Sequence, residues 1–252
     1  MRILICNDDG INAEGIKVAE EAARSLSDDV WVVAPAFEQS GTGHSFTAGR
    51  TMTVKKVGDK HYTVEGTPTD CVIFACRYLL KDGLPDLVLS GVNQGSNLGF
   101  DVAYSGTIGA AIEGTLQGIR SIALSLYGAK NAAEEAHWET VRRYAPEVIK
   151  KLLGIGWSSG TLMNVNFPAV PVEKCSGIEF PVLSHRKIGD DVRVEKTSED
   201  TFSFKVGFLR TEDDSPGADV EAVSRGAVTV TPVSVSFTDM GMLPVLKERF
   251  EV

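Results

Sequence analysis

The chain has 252 residues, of which 43% are hydrophobic and 23% charged, a composition typical of a soluble globular protein with a sizeable core. Its 25 basic and 34 acidic residues give a formal net charge of −9, and because such a surface repels polyanions we expect no long nucleic acid partner. No apolar run approaches the roughly 18 residues of a membrane span, and "MRILIC" is too short for a signal peptide. No cysteines have C-x-x-C spacing. We therefore expect a cytoplasmic protein with free thiols and no membrane partner.

The first elements in chain order alternate between strand and helix patterns. The apolar run "RILIC" (2–6) predicts a short buried strand, and "GIKVAEEAARSL" (15–26) carries apolar residues at helical spacing. A second apolar run, "VWVVAP" (30–35), predicts a strand that ends at a proline. The segment "TMTVKKVGDKHYTVEG" (51–66) alternates around a Gly-Asp turn, which predicts a hairpin inserted in an α/β core.

The next segments continue the alternation. "TPTDCVIFACRYLL" (67–80) predicts a helix with Thr67 or Thr69 as its cap. A strand, a helix rich in small residues and another strand follow in "DLVLSG" (86–91), "TIGAAIEGTLQGI" (107–119) and "SIALSL" (121–126). Fully apolar strands separated by helices indicate an α/β fold whose parallel sheet is covered on both faces.

The second half of the chain changes character. "AAEEAHWETVRRYAPEVIKKLL" (132–153) predicts a long amphipathic helix that is interrupted or kinked near Pro146. After residue 170 or so, short strands alternate with turn residues in "GIEFPVLS", "DVRVEK", "TFSFKVGFL" and "GAVTVTPVSVSF". The sequence contains no repeat and no linker, so we expect one domain. It should consist of an α/β core over 1–168 and a β-rich extension with a C-terminal tail over 169–252. We expect the extension to serve oligomer contacts.

Three loops follow predicted strand ends and should converge on one site. They are the first loop (7–10), the second loop (35–47) and the third loop (90–107), which are rich in Asp, Asn, Ser, Thr and Gly. In parallel sheets, ligands bind in the crevice beyond the carboxyl ends of the strands. We therefore expect the chemistry of this protein in these loops.

The first loop places two adjacent carboxylates, Asp8 and Asp9, directly behind a buried strand. One Asp could cap the helix that follows, and a capping or turn role is the alternative. Two carboxylates at one strand end are better explained by a divalent cation that neutralises their repulsion. Hard cations such as Mg²⁺ and Mn²⁺ prefer oxygen ligands, so the pair predicts a metal site.

The other loops offer mainly neutral oxygen atoms. Asn93 and Asn97 carry amide oxygens in a long glycine-containing stretch, for which an idle surface loop is the alternative. Ser40 beside Gly41 is a candidate metal ligand or phosphate donor. His44 is a candidate proton shuttle, although a lone loop histidine is more often a surface residue.

The segment "YSGT" stands immediately before the "IGAAIEG" helix and predicts an anion site. The exposed backbone N–H groups and positive dipole end of a helix start attract phosphate, and the hydroxyl groups of Ser105 and Thr107 could assist. Ser105 could instead simply cap the helix, a role compatible with anion binding.

Together these segments resemble the SurE family, the survival protein E nucleotidases. The resemblance rests on five stretches, namely "NDDG" (7–10), "QSGTGHSFT" (39–47), "GTPTDCV" (66–72), "SGVNQGSNLGFDVAYSGTIGAAIEG" (90–114) and "DVEAVSRGAVTVTP" (219–232). The long fourth stretch is the most specific, and its departures from the family pattern, such as Ile108 in place of the usual valine, change no hydrogen-bond donor.

The resemblance implies a function, a fold and site residues. Members are metal-dependent nucleoside monophosphate phosphatases with a Rossmann-like three-layer core, whose β-rich C-terminal portion exchanges between subunits in a homodimer or homotetramer. The resemblance assigns Asp8, Asp9, Ser40 and Asn93 as ligands of one Mg²⁺ or Mn²⁺ ion per subunit. It places Asn97, Ser105, Gly106 and Thr107 in the phosphate pocket.

The expected reaction is hydrolysis of a nucleoside monophosphate to nucleoside and inorganic phosphate by a metal-activated water, with Asp8 and Asp9 as the catalytic carboxylates. One alternative is an aspartyl-phosphate mechanism of the haloacid-dehalogenase kind, although those enzymes show D-x-D-G rather than D-D-G. Another is a non-catalytic nucleotide-binding protein. Preference for 5′ or 3′ monophosphates, exopolyphosphatase activity, the metal used and the general base stay open.

Overall fold

A large central sheet organises the chain, and its computed structural model describes residues 1–128, 137–207, 209 and 215–250. Within these residues, nine strands form one sheet in the order β3-β4-β2-β1-β5-β6-β7-β11-β8, and β9 and β10 form a separate pair. The strands are β1 (Arg2–Cys6), β2 (Asp29–Pro35), β3 (Val54–Gly58), β4 (His61–Val64), β5 (Leu87–Gln94), β6 (Arg120–Tyr127), β7 (Thr161–Pro168), β8 (Gly177–Glu179), β9 (Val192–Lys196), β10 (Phe202–Val206) and β11 (Ala227–Ser234).

Strand direction confirms the predicted α/β fold and adds detail. Strands β4, β2, β1, β5, β6 and β7 run parallel, whereas β3 is antiparallel to β4 and β11 is antiparallel to β7. The predicted hairpin over 51–66 forms as β3 and β4 and extends the edge of the central sheet. The sheet is therefore mixed, with a parallel centre.

Helices cover both faces of this sheet. They are α1 (Glu14–Arg24), α2 (Pro68–Phe74), α3 (Gly106–Leu116), α4 (Trp138–Ile155), α5 (Asp219–Ser224) and α6 (Met242–Arg249). Alternate residues of β1 serve opposite faces, because Ile3 and Ile5 pack in the cluster under α1 and α4 while Leu4 and Cys6 pack in the cluster under α2. A strand buried on both faces reads as a continuous apolar run, which is why β1 was visible in the sequence.

Two predicted helices differ in detail from the structure. Helix α2 is capped by Thr67, whose hydroxyl accepts a hydrogen bond from the backbone N–H of Asp70, and it continues into a π-helical turn over Ala75–Leu79. Helix α4 runs unbroken through Pro146, so the predicted interruption is wrong. Its buried face packs against α1 and the sheet, and this packing outweighs one missing backbone hydrogen bond. Residues 132–136 of the predicted helix lie outside the described residues.

The C-terminal region contributes to the sheet and also projects from it. Strands β8 and β11 pair within the central sheet, whereas β9 and β10 form a two-stranded antiparallel hairpin with exposed side chains on both strands. The segment "GTLMNVNFP", for which the sequence predicted no element, forms strand β7. Among the described helices, none combines the length and the apolar character needed to cross a bilayer.

Candidate active site

The three loops predicted to converge line one cavity at the carboxyl ends of β1, β2 and β5. The cavity has a volume of about 290 Å³. It brings together six of the residues predicted for the site, namely Asp8, Asp9, Ser40, Asn93, Asn97 and Ser105. Parallel strands that end at one edge of a sheet explain why segments distant in sequence meet there.

Asp8 is the buried member of the carboxylate pair. It lies two residues beyond the end of β1, and its Oδ1 accepts a hydrogen bond from the Thr107 hydroxyl. Burial raises the pKa of the Asp8 carboxyl to about 6, the hydrogen bond from Thr107 lowers it in part, and repulsion by Asp9 adds to the rise. A raised pKa marks a negative charge that this chain does not fully stabilise, as expected where a cation completes the site.

Asp9 is half-buried and lies against the third loop. Its Oδ2 accepts a hydrogen bond of 2.9 Å from the backbone N–H of Gln94, at the end of β5. This bond fixes the Asp9 carboxylate at the cavity and ties the first loop to the third. The two carboxylates therefore face the cavity from the end of β1, with Asp9 the more accessible of the two.

The remaining predicted metal ligands, Ser40 and Asn93, also line the cavity. Asn93 donates from its amide nitrogen to the carbonyl oxygen of Gly95 at 2.7 Å, so its amide oxygen is left for another partner. Ser40 is exposed and donates to Glu38 Oε1 at 2.9 Å, which leaves hydroxyl lone pairs able to accept or ligate.

This donor set fits a hard divalent cation. In the described part of the chain, no cluster of three or more His, Cys, Asp or Glu side chains is placed to hold a metal. A cation here would depend on two carboxylates together with neutral hydroxyl and amide oxygens, which is the oxygen chemistry that Mg²⁺ and Mn²⁺ accept.

Helix α3 begins at the cavity, behind Asp8. Ser105 caps it, because its hydroxyl oxygen accepts a hydrogen bond of 3.1 Å from the backbone N–H of Ile108. A Cβ at Gly106 would lie 2.8 Å from the Cβ of Asp8, so only glycine lets the helix start approach the first loop this closely. Thr107 is fully buried and donates to Asp8, which differs from the prediction that its hydroxyl assists an anion.

Asn97 is held firmly at the cavity wall. Its side-chain amide donates to the Ser125 hydroxyl at 2.8 Å, and its backbone N–H donates to Asn166 Oδ1 at 2.9 Å. The amide groups of Asn164 and Asn166 both donate to its carbonyl oxygen, at 2.8 and 3.0 Å. These four bonds hold the third loop in a defined position at the cavity.

His44 lies away from the carboxylate pair. Its Nε2 is 3.0 Å from Glu113 Oε2 on α3, and it is absent from the residues that line the cavity. The hydrogen bond from His44 is the main cause that holds the pKa of Glu113 below its usual range. The structure therefore gives His44 a role in attaching the second loop to α3, not one beside the cavity.

Two other buried aspartates, which we call the clamp carboxylates, hold the loops in place. Asp70 accepts hydrogen bonds from the backbone N–H and the hydroxyl of Thr47, both at 2.8 Å, and so fixes the second loop to α2. Asp219 accepts from the backbone N–H groups of Gly99 at 2.8 Å and Ser184 at 3.0 Å. The third loop is thereby tied to the C-terminal region.

The cavity also contains residues for which the sequence analysis made no prediction. They are Glu38, Gln94, Ser96, Asp101, Tyr104 and Ile188. The first five lie within the second and third loops, so their loop membership was the available signal. Ile188 reaches the cavity because its backbone N–H donates to Asp101 Oδ1 at 2.6 Å, and no sequence pattern indicates that contact.

Comparisons with known proteins agree with the resemblance noted in the sequence. The family model described as "Survival protein SurE" matches residues 3–190. The protein named "5'-nucleotidase SurE" from Paramagnetospirillum magneticum is 50% identical over 254 residues, which cover 99% of this chain and 96% of that protein. The protein of the same name from Rhodospirillum rubrum is 46% identical over 251 residues, with the same two coverages of 99% and 96%.

A solved structure is similar over the whole chain. It is the crystal structure of the SurE protein from Aquifex aeolicus, which matches with a TM-score of 0.85 and 35% sequence identity. The match covers 99% of this chain and 100% of that one, so it includes the C-terminal region that the family model leaves out.

Proposed function

The chain belongs to the SurE family, and on that premise we propose that it is a nucleotidase that hydrolyses nucleoside monophosphates to nucleoside and inorganic phosphate. The relatives named "5'-nucleotidase SurE" support the reaction class. The single observation that carries the proposal is the meeting of Asp8 and Asp9 with Ser40, Asn93 and the start of α3 around one cavity.

We further propose that Asp8, Asp9, Ser40 and Asn93 hold one Mg²⁺ or Mn²⁺ ion. Two carboxylates cancel the charge of one divalent cation, so the cation and its two carboxylate ligands together would carry no net charge. Such a cation supplies Lewis-acid polarisation of a phosphoryl oxygen and a more acidic water as the nucleophile.

The residues beside the carboxylate pair suit a phosphate dianion. The capped start of α3, with Ser105, Gly106 and the backbone of Thr107, presents the positive end of the helix dipole to the cavity, while the Thr107 hydroxyl donates to Asp8. Asn97 supplies a side-chain amide that donates to Ser125 of β6, while its backbone N–H donates to Asn166 of β7. These groups would stabilise charge on the equatorial oxygens without adding a cation of their own.

Phosphate release from a panel of substrates tests the proposed function. The panel contains 5′ and 3′ nucleoside monophosphates and short polyphosphate, each assayed with Mn²⁺, with Mg²⁺ and with a chelator. We expect release from monophosphates that requires the metal and stops on chelation. Nucleotide binding without release would indicate a binding protein, and phosphate trapped covalently on Asp8 would indicate the aspartyl-phosphate mechanism.

The proposal includes a homodimer or homotetramer in the cytoplasm. The hairpin of β9 and β10 exposes apolar side chains on both strands, and α6 exposes further ones, which supports contacts with a second copy. All four cysteines are free thiols, which supports a reducing compartment. Light scattering should give two or four times the chain mass, and the mass of a single chain would contradict the assembly.

A further inference from the structure

The backbone of Asn97 is paired with side chains of β7 instead of with another backbone. Asn166 makes two of these bonds, because its Oδ1 accepts from Asn97 N at 2.9 Å and its Nδ2 donates to Asn97 O at 3.0 Å. Asn164 adds a third bond, from its Nδ2 to Asn97 O at 2.8 Å. Both asparagines are buried and lie two residues apart, on the same face of the strand.

Asn166 thereby makes the two hydrogen bonds that the backbone of a neighbouring strand would make to Asn97. Strand β5 ends at Gln94, and beyond it the chain leaves the sheet to form the cavity wall. A primary amide carries a donor and an acceptor side by side, as a peptide group does, so Asn166 satisfies both polar groups of the Asn97 backbone at once. A buried N–H or C=O without a partner would otherwise destabilise this conformation of the loop.

The orientation of the Asn97 peptide decides where its side chain lies. With the N–H and C=O fixed by Asn166, the Asn97 side chain is directed between the cavity and Ser125, to which it donates at 2.8 Å. A group that contacts a transferring phosphoryl must be placed to a fraction of an ångström, and a misplacement of about 1 Å can cost roughly 10²-fold in rate.

We propose that Asn166 is a positioning residue for catalysis, which sets the Asn97 side chain against the phosphoryl group through its two bonds to the Asn97 backbone. The proposal rests on the proposed nucleotidase function. It assigns Asn166 no contact with substrate. Asn166 belongs to β7 and is not part of the first, second or third loop.

Two substitutions separate the parts of this role. Asn166→Asp keeps the acceptor for the Asn97 N–H but sets a second acceptor against the Asn97 carbonyl. Asn166→Ala removes both bonds, so that the Asn97 N–H loses its partner while the Asn97 carbonyl keeps only the bond from Asn164. Thr140→Val is the matched control, because it removes one buried hydrogen bond, from Thr140 to the Val170 carbonyl, and does not touch the cavity.

The experiment combines kinetics with amide hydrogen exchange. For the monophosphate that the wild type cleaves best, we expect Asn166→Asp and Asn166→Ala to lower kcat by about 10- to 100-fold with a smaller change in KM. Exchange over residues 95–99 should accelerate in Asn166→Ala, measured without substrate. Thr140→Val should keep wild-type kcat and wild-type exchange in this segment, even where its thermal midpoint falls.

The outcomes distinguish this proposal from the proposed function. A wild type that releases no phosphate would contradict the nucleotidase, while exchange over residues 95–99 would still decide whether Asn166 holds the loop. Wild-type kcat or wild-type exchange in a folded Asn166→Ala protein would overturn the positioning role. If the Ala variant does not fold, Asn166→Asp decides through the same two measurements.

Discussion

Two pairs of aspartates that hold or line the three loops have different surroundings. The clamp carboxylates, Asp70 and Asp219, accept hydrogen bonds from the chain itself, each on both oxygens. The cavity pair, Asp8 and Asp9, instead lines an open cavity, and burial raises the pKa of Asp8 to about 6. The same residue type therefore holds the loops in one group and lines the cavity in the other.

This difference indicates which acidic residues are candidates for catalysis and which are structural. A carboxylate that accepts hydrogen bonds from the chain on both oxygens, as each clamp carboxylate does, is already stabilised, and removing it should damage the fold first. A carboxylate pair beside a cavity gains its stabilisation from what binds there, so removing one member should damage activity first. Four substitutions test this contrast, and they are described in order of decreasing effect.

Asp9→Asn should give the largest effect, because it removes one of two charges that would neutralise the cation. We expect phosphate release to fall by about 10³-fold or more, while the free energy of unfolding changes by less than about 0.5 kcal/mol. Phosphate release and chemical denaturation measure the two quantities. Phosphate release by Asp9→Asn at the wild-type rate would contradict the assignment of a metal site to this pair.

Asp219→Ala should mainly affect stability. The substitution leaves the N–H groups of Gly99 and Ser184 without their carboxylate, so we expect the free energy of unfolding to fall by about 2–4 kcal/mol. Asp200→Ala is the matched control, because Asp200 is exposed in the turn between β9 and β10. Denaturation curves that coincide for the two variants would show that Asp219 holds nothing in place.

Gly106→Ala tests how closely α3 must approach the cavity pair. The added Cβ would meet Asp8 at 2.8 Å, so the helix start has to move. We expect kcat/KM to fall by about 10-fold or more, since small displacements at the phosphate pocket are costly. Gly154→Ala on α4 meets nothing within 4 Å and should keep wild-type kinetics. If Gly106→Ala has the same kinetics as Gly154→Ala, catalysis does not require α3 to approach Asp8 this closely.

Asp29→Asn should give the smallest effect, far from the cavity. Lys60 and Arg2, at 2.8 Å each, together with Trp31, hold the pKa of Asp29 well below its usual range. A lowered pKa contributes stability that is complete above the unfolded-state value of about 4 and is lost as the pH falls through the folded-state pKa.

The stability difference between wild type and Asp29→Asn should therefore be present at pH 7 and shrink below about pH 4. Because the Asp29 side chain is about one-third exposed, at 34%, we expect about 1 kcal/mol or less. Urea titrations across this pH range measure the difference. A stability difference between the two proteins that grows as the pH falls would contradict the lowered pKa of Asp29.

The sequence predicted the centre of the fold and most of the cavity because both depend on local patterns. Strands β1, β2, β5 and β6 are continuous apolar runs, and the convergence of their loops follows from a parallel sheet. The site residues lie in those loops, and they could be named before any contact was known.

The remaining features depend on contacts that no local pattern encodes. Strand β7 escaped prediction because Asn164 and Asn166, the partners of Asn97, interrupt its apolar run. Asp219 bonds Gly99 across 120 residues and lies outside the segment that the family model matches. Ile188 lies at the cavity through its backbone bond to Asp101, 87 residues earlier in the chain. Long-range hydrogen bonds of this kind appear only when the chain is folded.

Binding of Mn²⁺ to the metal-free protein tests the contrast between the cavity pair and the clamp carboxylates most directly. Free Mn²⁺ is followed by electron paramagnetic resonance during titration of the wild type, Asp9→Asn and Asp219→Ala. We predict one Mn²⁺ per chain in the wild type and in folded Asp219→Ala, and loss of that site in Asp9→Asn. Binding by Asp9→Asn with the affinity of the wild type would contradict the assignment of Asp8 and Asp9 as the cation site.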